Sequence, residues 1–209
     1  MKVDCYLSLI SNATFKTNIK RSIFLGHAVH CTTEQRAKEF IKEISRQYKD
    51  ATHNCWAYKV NENGIKFNFS DAGEPHGSAG RPIFSAVESL GMINVVVVVT
   101  RYFGGVKLGI RGLIDAYKFT AQRTLENGEK GKYCPGIRFV VEMDYSTWNF
   151  FSGKYHKEKD FNVADIDYGA SVKATLTSQI EKFASLSKFF NERHIPIESK
   201  EPITFIEKL

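Results

Sequence analysis

Two glycine-rich turns hold most of the residues whose types and spacing suit chemistry: DAGEPHGSAGRP (Asp71–Pro82) and RYFGGVKLGIRG (Arg101–Gly112). Each reads as the approach to a helix, where unpaired backbone N–H groups and the helix dipole favour an anion. Glycine lets the backbone come close to such a ligand, so Gly104, Gly105 and Gly109 shape the second turn. Arg101, Lys107 and Arg111 add positive charge to it, and Arg81 adds charge to the first. Cations at the start of a helix oppose its dipole, and an anion seated there reverses the sign. The first turn also brings two carboxylates, Asp71 and Glu74, which with His53 make a set of acid–base candidates. The competing reading is structural: Asp71 caps backbone in its own turn, Glu74 pairs with an arginine, and the glycines serve tight turns and packing.

Other constellations are weaker. Neither turn matches a phosphate-binding GxxxxGK[ST] loop or a dinucleotide fingerprint. His27, His30 and Cys31, or His53 and Cys55, lack the spacing of zinc ligands, and no metal or cofactor is expected. Ser78 lacks the strand-to-helix context of a hydrolase nucleophile. Tyr102 and Phe103 beside Arg101 suit either base stacking or a place in the core.

These turns must be positioned by elements readable from pattern. ATFKTNIKRSIFLGHAV alternates as a hairpin. Ala37, Phe40, Ile41, Ile44 and Tyr48 repeat at helical spacing, with Thr32 and Gln35 spaced as a capping box. CWAYKV and IKFNFS read as strands around NENG, and a short helix is expected from Pro82 to Leu90. Val95–Val99 is apolar at every position, which predicts a strand covered on both faces. The following helix is expected to bury Ile110, Leu113, Ile114, Tyr117, Ala121 and Leu125. Charge, glycine and proline collect in Glu126–Gly136, read as an open domain boundary. Beyond it the order is strand, helix (Thr147–Lys159), two strands around Tyr168-Gly169, helix and strand, the β-α-β-β-α-β order of ferredoxin-like folds. The fold class is therefore α+β, with domains at 1–133 and 134–209.

Composition narrows the setting. The chain has 209 residues, 43% apolar, with a net charge of +6 and a pI near 9.0. That is enough apolar sequence for a core, and a basic surface favours acidic partners such as nucleic acid. The four cysteines are scattered, which fits reduced thiols in a cytoplasmic protein. The N-terminal apolar stretch is too short to span a membrane, so no membrane association is expected.

The stretches IKRSIF (Ile19–Phe24), DATHNCWAYKV (Asp50–Val60), SDAGEPHGSAGRPI (Ser70–Ile83) and NVVVVVTRYFGGVKLGIRGLIDAY (Asn94–Tyr117) together resemble the YigZ/Impact family. The resemblance implies an N-terminal domain like the second domain of ribosomal protein S5, then a ferredoxin-like domain like those of elongation factors. It also implies nucleic-acid or ribosome association and a link to regulation of translation. Two positions depart from the family pattern. Ala72 stands where a second aspartate is common, and Arg111 replaces a glycine. The first weakens a metal or acid–base role for the loop, while the second suits an anion.

The leading expectation is a binding protein that holds RNA phosphates between the two turns, with a phosphate-like anion at Gly104–Gly112. The alternative is an enzyme acting on a phosphorylated small molecule through His53, Asp71 and Glu74. A protein-binding module is a third reading.

Overall fold

A computed structural model describes residues 5–155 and 160–209. The chain divides into two compact units. The N-terminal unit runs from Tyr6 to Lys132 and takes in Lys208–Leu209; the C-terminal unit holds Cys5 and the described part of Tyr133–Glu207. No helix among the described residues is long and apolar enough to cross a membrane.

After β1 (Tyr6–Leu9), the N-terminal unit forms the hairpin β2 (Ala13–Ile19) and β3 (Ser22–His30), helix α1 (Glu34–Gln47), and strands β4 (His53–Asn61) and β5 (Ile65–Ser70). Helix α2 (Gly80–Ser89), strand β6 (Val95–Tyr102) and helix α3 (Gly109–Asn127) follow. The five-stranded sheet has the order β2-β3-β6-β4-β5, and every adjacent pair is antiparallel. The valine run forms the central strand. Val95, Val97 and Val99 pack with Ile83 and Val87 of α2 and Leu113, Tyr117 and Leu125 of α3. Val96 faces the other way, toward Ala37 of α1, Tyr58 and Val60. A strand alternates its side chains between faces, so a run apolar at every position needs both faces covered.

The C-terminal unit contains β7 (Lys130–Met143) from Tyr133 onward, α4 (Tyr145–Tyr155), β8 (Asn162–Tyr168), β9 (Val172–Gln179), α5 (Ile180–Glu192) and β10 (Ile197–Lys208) up to Glu207. Its strand order is β10-β7-β9-β8, with β9 antiparallel to both β7 and β8. This is the split β-α-β arrangement expected of a ferredoxin-like order.

Several local expectations are corrected. Glu126–Gly136 is not an open loop: α3 continues to Asn127, β7 begins at Lys130, and Ile10 N–H donates to Glu129 O at 2.8 Å. The cap of α1 is Thr33, whose Oγ1 accepts from Arg36 N–H, one residue after the predicted position. Helix α2 starts two residues before Pro82 because Asp71 satisfies its first N–H groups, as described below. Ile110 is 62% exposed, since its position on the first turn of α3 points away from the sheet. Helix α4 is described only to Tyr155, so the end of the predicted Thr147–Lys159 helix lies outside the described residues. Cys5 and Cys134 are joined in a disulfide, while Cys31 and Cys55 are free and buried. The expectation of four reduced thiols is overturned for the first pair, whose separation of 129 positions leaves no local signature.

Candidate functional site

Sheet register builds the floor of the site. Arg101 on β6 lies opposite Phe24 on β3 and His53 on β4, so the three share one row across three strands. Arg101 is two and four positions beyond Val99 and Val97, and therefore points to the same face, under α2 and α3. There its Nη1 meets Glu74 Oε1 at 2.7 Å, with both side chains almost fully buried. The Tyr117 hydroxyl donates to the same oxygen at 2.7 Å. Arg101 Nη2 donates to Ser22 Oγ at 3.3 Å, and its guanidinium lies over the rings of Phe24 and Phe103, 5.6 and 5.4 Å from their centroids. Among the described residues its Nε finds no hydrogen-bond partner.

Glu74 is thus held by two strong donors at one oxygen, which suits a strut between β6 and α3 better than a base that must take up a proton. His53 Nδ1 lies 2.9 Å from Ala72 O. A carbonyl only accepts, so Nδ1 carries the hydrogen and Nε2 faces Glu74 Oε1 at 3.9 Å. Asp71 is spent on backbone: Oδ1 accepts from Ala79 and Gly80 N–H and Oδ2 from Gly77 N–H. Burial raises the Asp71 carboxyl, but donation from Gly77, Gly80 and Ala79 outweighs it, and the group titrates below its ordinary value. Asp71 and Glu74 therefore take the structural roles, cap and ion-pair partner.

Among the described residues, the two nucleophilic side chains beside this network are both engaged. Burial pushes the Cys55 thiol up to about 12, and its Sγ donates to Asp71 O at 2.9 Å. Ser78 is fully buried and donates to Pro75 O at 2.6 Å. Among the described residues no three His, Cys, Asp or Glu side chains come together to hold a metal ion.

Above the floor opens a cleft of about 390 Å³, lined by Thr52, His53, Glu74, Pro75, Arg101 and Phe103 on one side and by Lys107–Ile110 and Leu113 on the other. Phe103 and Ile110 are exposed at it. The glycines of the second turn have backbone reasons. Gly105 and Gly109 have φ of +82° and +74°, the left-handed region that other residues enter at a cost. At Gly104 a Cβ would stand 2.0 Å from Arg21 O, so this loop can approach the β2–β3 turn only without a side chain.

The two helix starts then differ sharply. Asp71 closes that of α2. Helix α3 begins after Leu108 with no side-chain cap and no acidic residue in its first turn, and its start lines the cleft. Lys107 is exposed there. Arg111 is 88% exposed and pairs loosely with Asp115 across one turn at 3.3 Å, a contact worth little in water. Of the predicted site residues, His53, Glu74, Arg101, Lys107 and Gly109 meet at the cleft, with Arg111 two positions beyond Gly109; Arg81, Gly104 and Gly105 are outside its lining. Sequence reasoning missed Tyr117 and Ser22 as partners of the buried pair, and nothing local marks them.

The Impact N-terminal domain model matches residues 20–125. IMPACT family member YvyE of Bacillus subtilis is 46% identical over 175 residues, covering 83% of this chain and 80% of that protein. IMPACT family member YigZ of Escherichia coli is 28% identical over 145 residues, covering 68% and 71%. A crystal structure described as that of a hypothetical protein covers 97% of this chain and 98% of its own, with a TM-score of 0.62 and 24% identity; it shares the fold.

Proposed function

The chain belongs to the Impact family, and from that premise we propose that it is a binding protein of the translation apparatus that holds RNA phosphates in the N-terminal cleft. The observation that carries this reading is the open start of α3. Its backbone donors have no side-chain cap and, with Lys107, line a cleft whose lining carboxylate, Glu74, is held by Arg101 and Tyr117, while the matching start of α2 is already closed by Asp71. Four N–H groups at a helix start need acceptors, and a phosphate supplies them. Lys107 and Arg111 bring the exposed positive charge, since Arg101 is occupied by Glu74. Phe103, exposed at the same cleft, offers a ring on which a base can stack. The enzyme reading ranks second because each of its acid–base candidates already has a structural partner.

The test compares wild type, Lys107→Ala and Arg111→Gly in phosphate and in chloride at matched ionic strength, because screening alone also relieves cation–dipole repulsion. Phosphate raises the melting temperature of the wild type by linkage, and each variant shows a smaller rise. With RNA, the double variant Lys107→Ala/Arg111→Ala lowers the slope of log affinity against log salt by about 1.4, roughly 0.7 for each phosphate contact to a single strand. Identical phosphate responses in all three proteins, with an unchanged salt slope, would refute the assignment.

A further inference from the structure

A second cluster lies wholly within the C-terminal unit. Helix α4 buries Trp148, Phe151 and Tyr155, and α5 buries Leu186, Phe189 and Phe190. Phe150 falls one position off the buried stripe of α4 and stands 56% exposed. Its ring lies within 12° of parallel to that of Phe189, with centroids 6.1 Å apart. The Arg193 guanidinium sits over both, 4.0 Å from the Phe189 centroid and 5.5 Å from that of Phe150. Beside them is a cavity of about 310 Å³, whose lining adds Lys154, Tyr155 and Lys188.

Charge and aromatic surface coincide here. Lys154, Lys188 and Arg193 face one lining carboxylate, Glu192, which reaches only Lys188, at 3.8 Å and in exposed positions. Lys154 and Arg193 make no ion pair among the described residues. Cations near helix C-termini are favoured by the dipole, which accounts for their sign but not for an exposed ring between them. An acidic peptide would use the cations and leave Phe150 in water. An apolar segment would use the ring and bury unpaired charge. A nucleotide uses both, since every base has a π face and every phosphate a charge.

We propose that this cluster is a second RNA contact, in which a base of a single strand stacks on Phe150 while Lys154, Lys188 and Arg193 take the flanking phosphates. It extends the reading of the protein as an RNA binder but involves neither Lys107 nor Arg111.

The experiment measures, on the full chain, the affinity of a labelled oligouridylate of about ten nucleotides, within the site sizes typical of single-strand binders. An abasic oligonucleotide of the same length serves as the second probe. Phe150→Ala weakens the oligouridylate about tenfold, as loss of one stacked base does, and leaves the abasic probe unchanged; Phe150→Tyr restores binding. Lys154→Gln and Arg193→Gln each lower the salt slope by about 0.7. Melting curves matching wild type establish that Phe150→Ala is folded, as its exposure predicts. Wild-type affinity of Phe150→Ala for the oligouridylate overturns the proposal. So does equal weakening of both probes by the charge variants with none by Phe150→Ala, the result expected of a basic patch that meets phosphates without stacking a base. The cleft is scored separately: if Lys107→Ala/Arg111→Ala binds as wild type while Phe150→Ala does not, the cleft reading fails and this one stands.

Discussion

Replacing Arg101 with methionine would strand Glu74 as a buried carboxylate, and the cost follows from the geometry. Both side chains of the pair are more than nine-tenths buried, 6% and 3% exposed, at 2.7 Å. Breaking a buried pair by removing one partner costs about 3–5 kcal/mol, because the remaining charge has lost its counter-ion. Tyr117 still donates to Glu74 at 2.7 Å, which puts the expected loss near the lower end, about 3 kcal/mol. For a unit of this size that is a fall of about 10 °C in melting temperature. Glu74→Gln alone strands Arg101 instead, with Ser22 as its remaining partner, and destabilises similarly. The double variant Glu74→Gln/Arg101→Met leaves no orphan charge, so its loss falls short of the sum of the singles by about 2 kcal/mol. Because the chain has two units, a single global transition is not assumed. The assay is therefore native-state hydrogen exchange at the β6 amides, which reports opening of the N-terminal sheet. Phosphate stabilisation, measured in parallel, should survive in the double variant, since the charge for the anion comes from Lys107 and Arg111. An Arg101→Met loss below about 1 kcal/mol, or strictly additive singles, would refute the assignment of Arg101 and Glu74 to one structural unit.

Asp71→Ala removes the acceptor of three backbone N–H groups and should cost about 2 kcal/mol, the upper range for a lost cap. Because the folded-state value of Asp71 is depressed, its stabilisation is present above the unfolded value near 3.9 and is lost as pH falls through the lower folded value; acid titration of stability should be shallower in the variant, and equal acid profiles would contradict the cap. Gly104→Ala forces a Cβ against backbone at Arg21, and urea unfolding should register a loss of about 1–3 kcal/mol from overpacking; unchanged stability would mean that the loop moves away freely. Cys31 and Cys55 are buried and both thiols are pushed up to about 12, so iodoacetamide at mildly alkaline pH should leave them unmodified until the protein is unfolded. Mass spectrometry reads this directly, and rapid labelling of the native protein would place them at the surface instead.

Element types in this protein were legible because they depend on short-range patterns. Five consecutive valines predict a strand covered on both faces, and Val95–Val99 has α2 and α3 on one side and α1 on the other. The β-α-β-β-α-β order after residue 130 followed from period and turn signals, and the strand order β10-β7-β9-β8 is its spatial counterpart. The glycines of the second turn were likewise legible as a turn, though their reasons, a positive φ at Gly105 and Gly109 and a close approach at Gly104, belong to the backbone path.

The partnerships were not legible. Glu74 and Arg101 lie 27 positions apart and Glu74 and Tyr117 lie 43 apart, and each meets the other only because strand register puts Arg101 opposite His53 and α3 packs over that row. The sequence could offer Arg101 as a cation and Glu74 as a carboxylate. Whether they serve a ligand or each other depends on distance and burial, which a linear pattern does not contain. Ile110 shows the same limit: its type suggested the core, but the rotation of α3 about its axis turned it toward the cleft. Local sterics and periodicity determine what each segment becomes; tertiary packing decides which charges are consumed inside, and so which remain for a ligand.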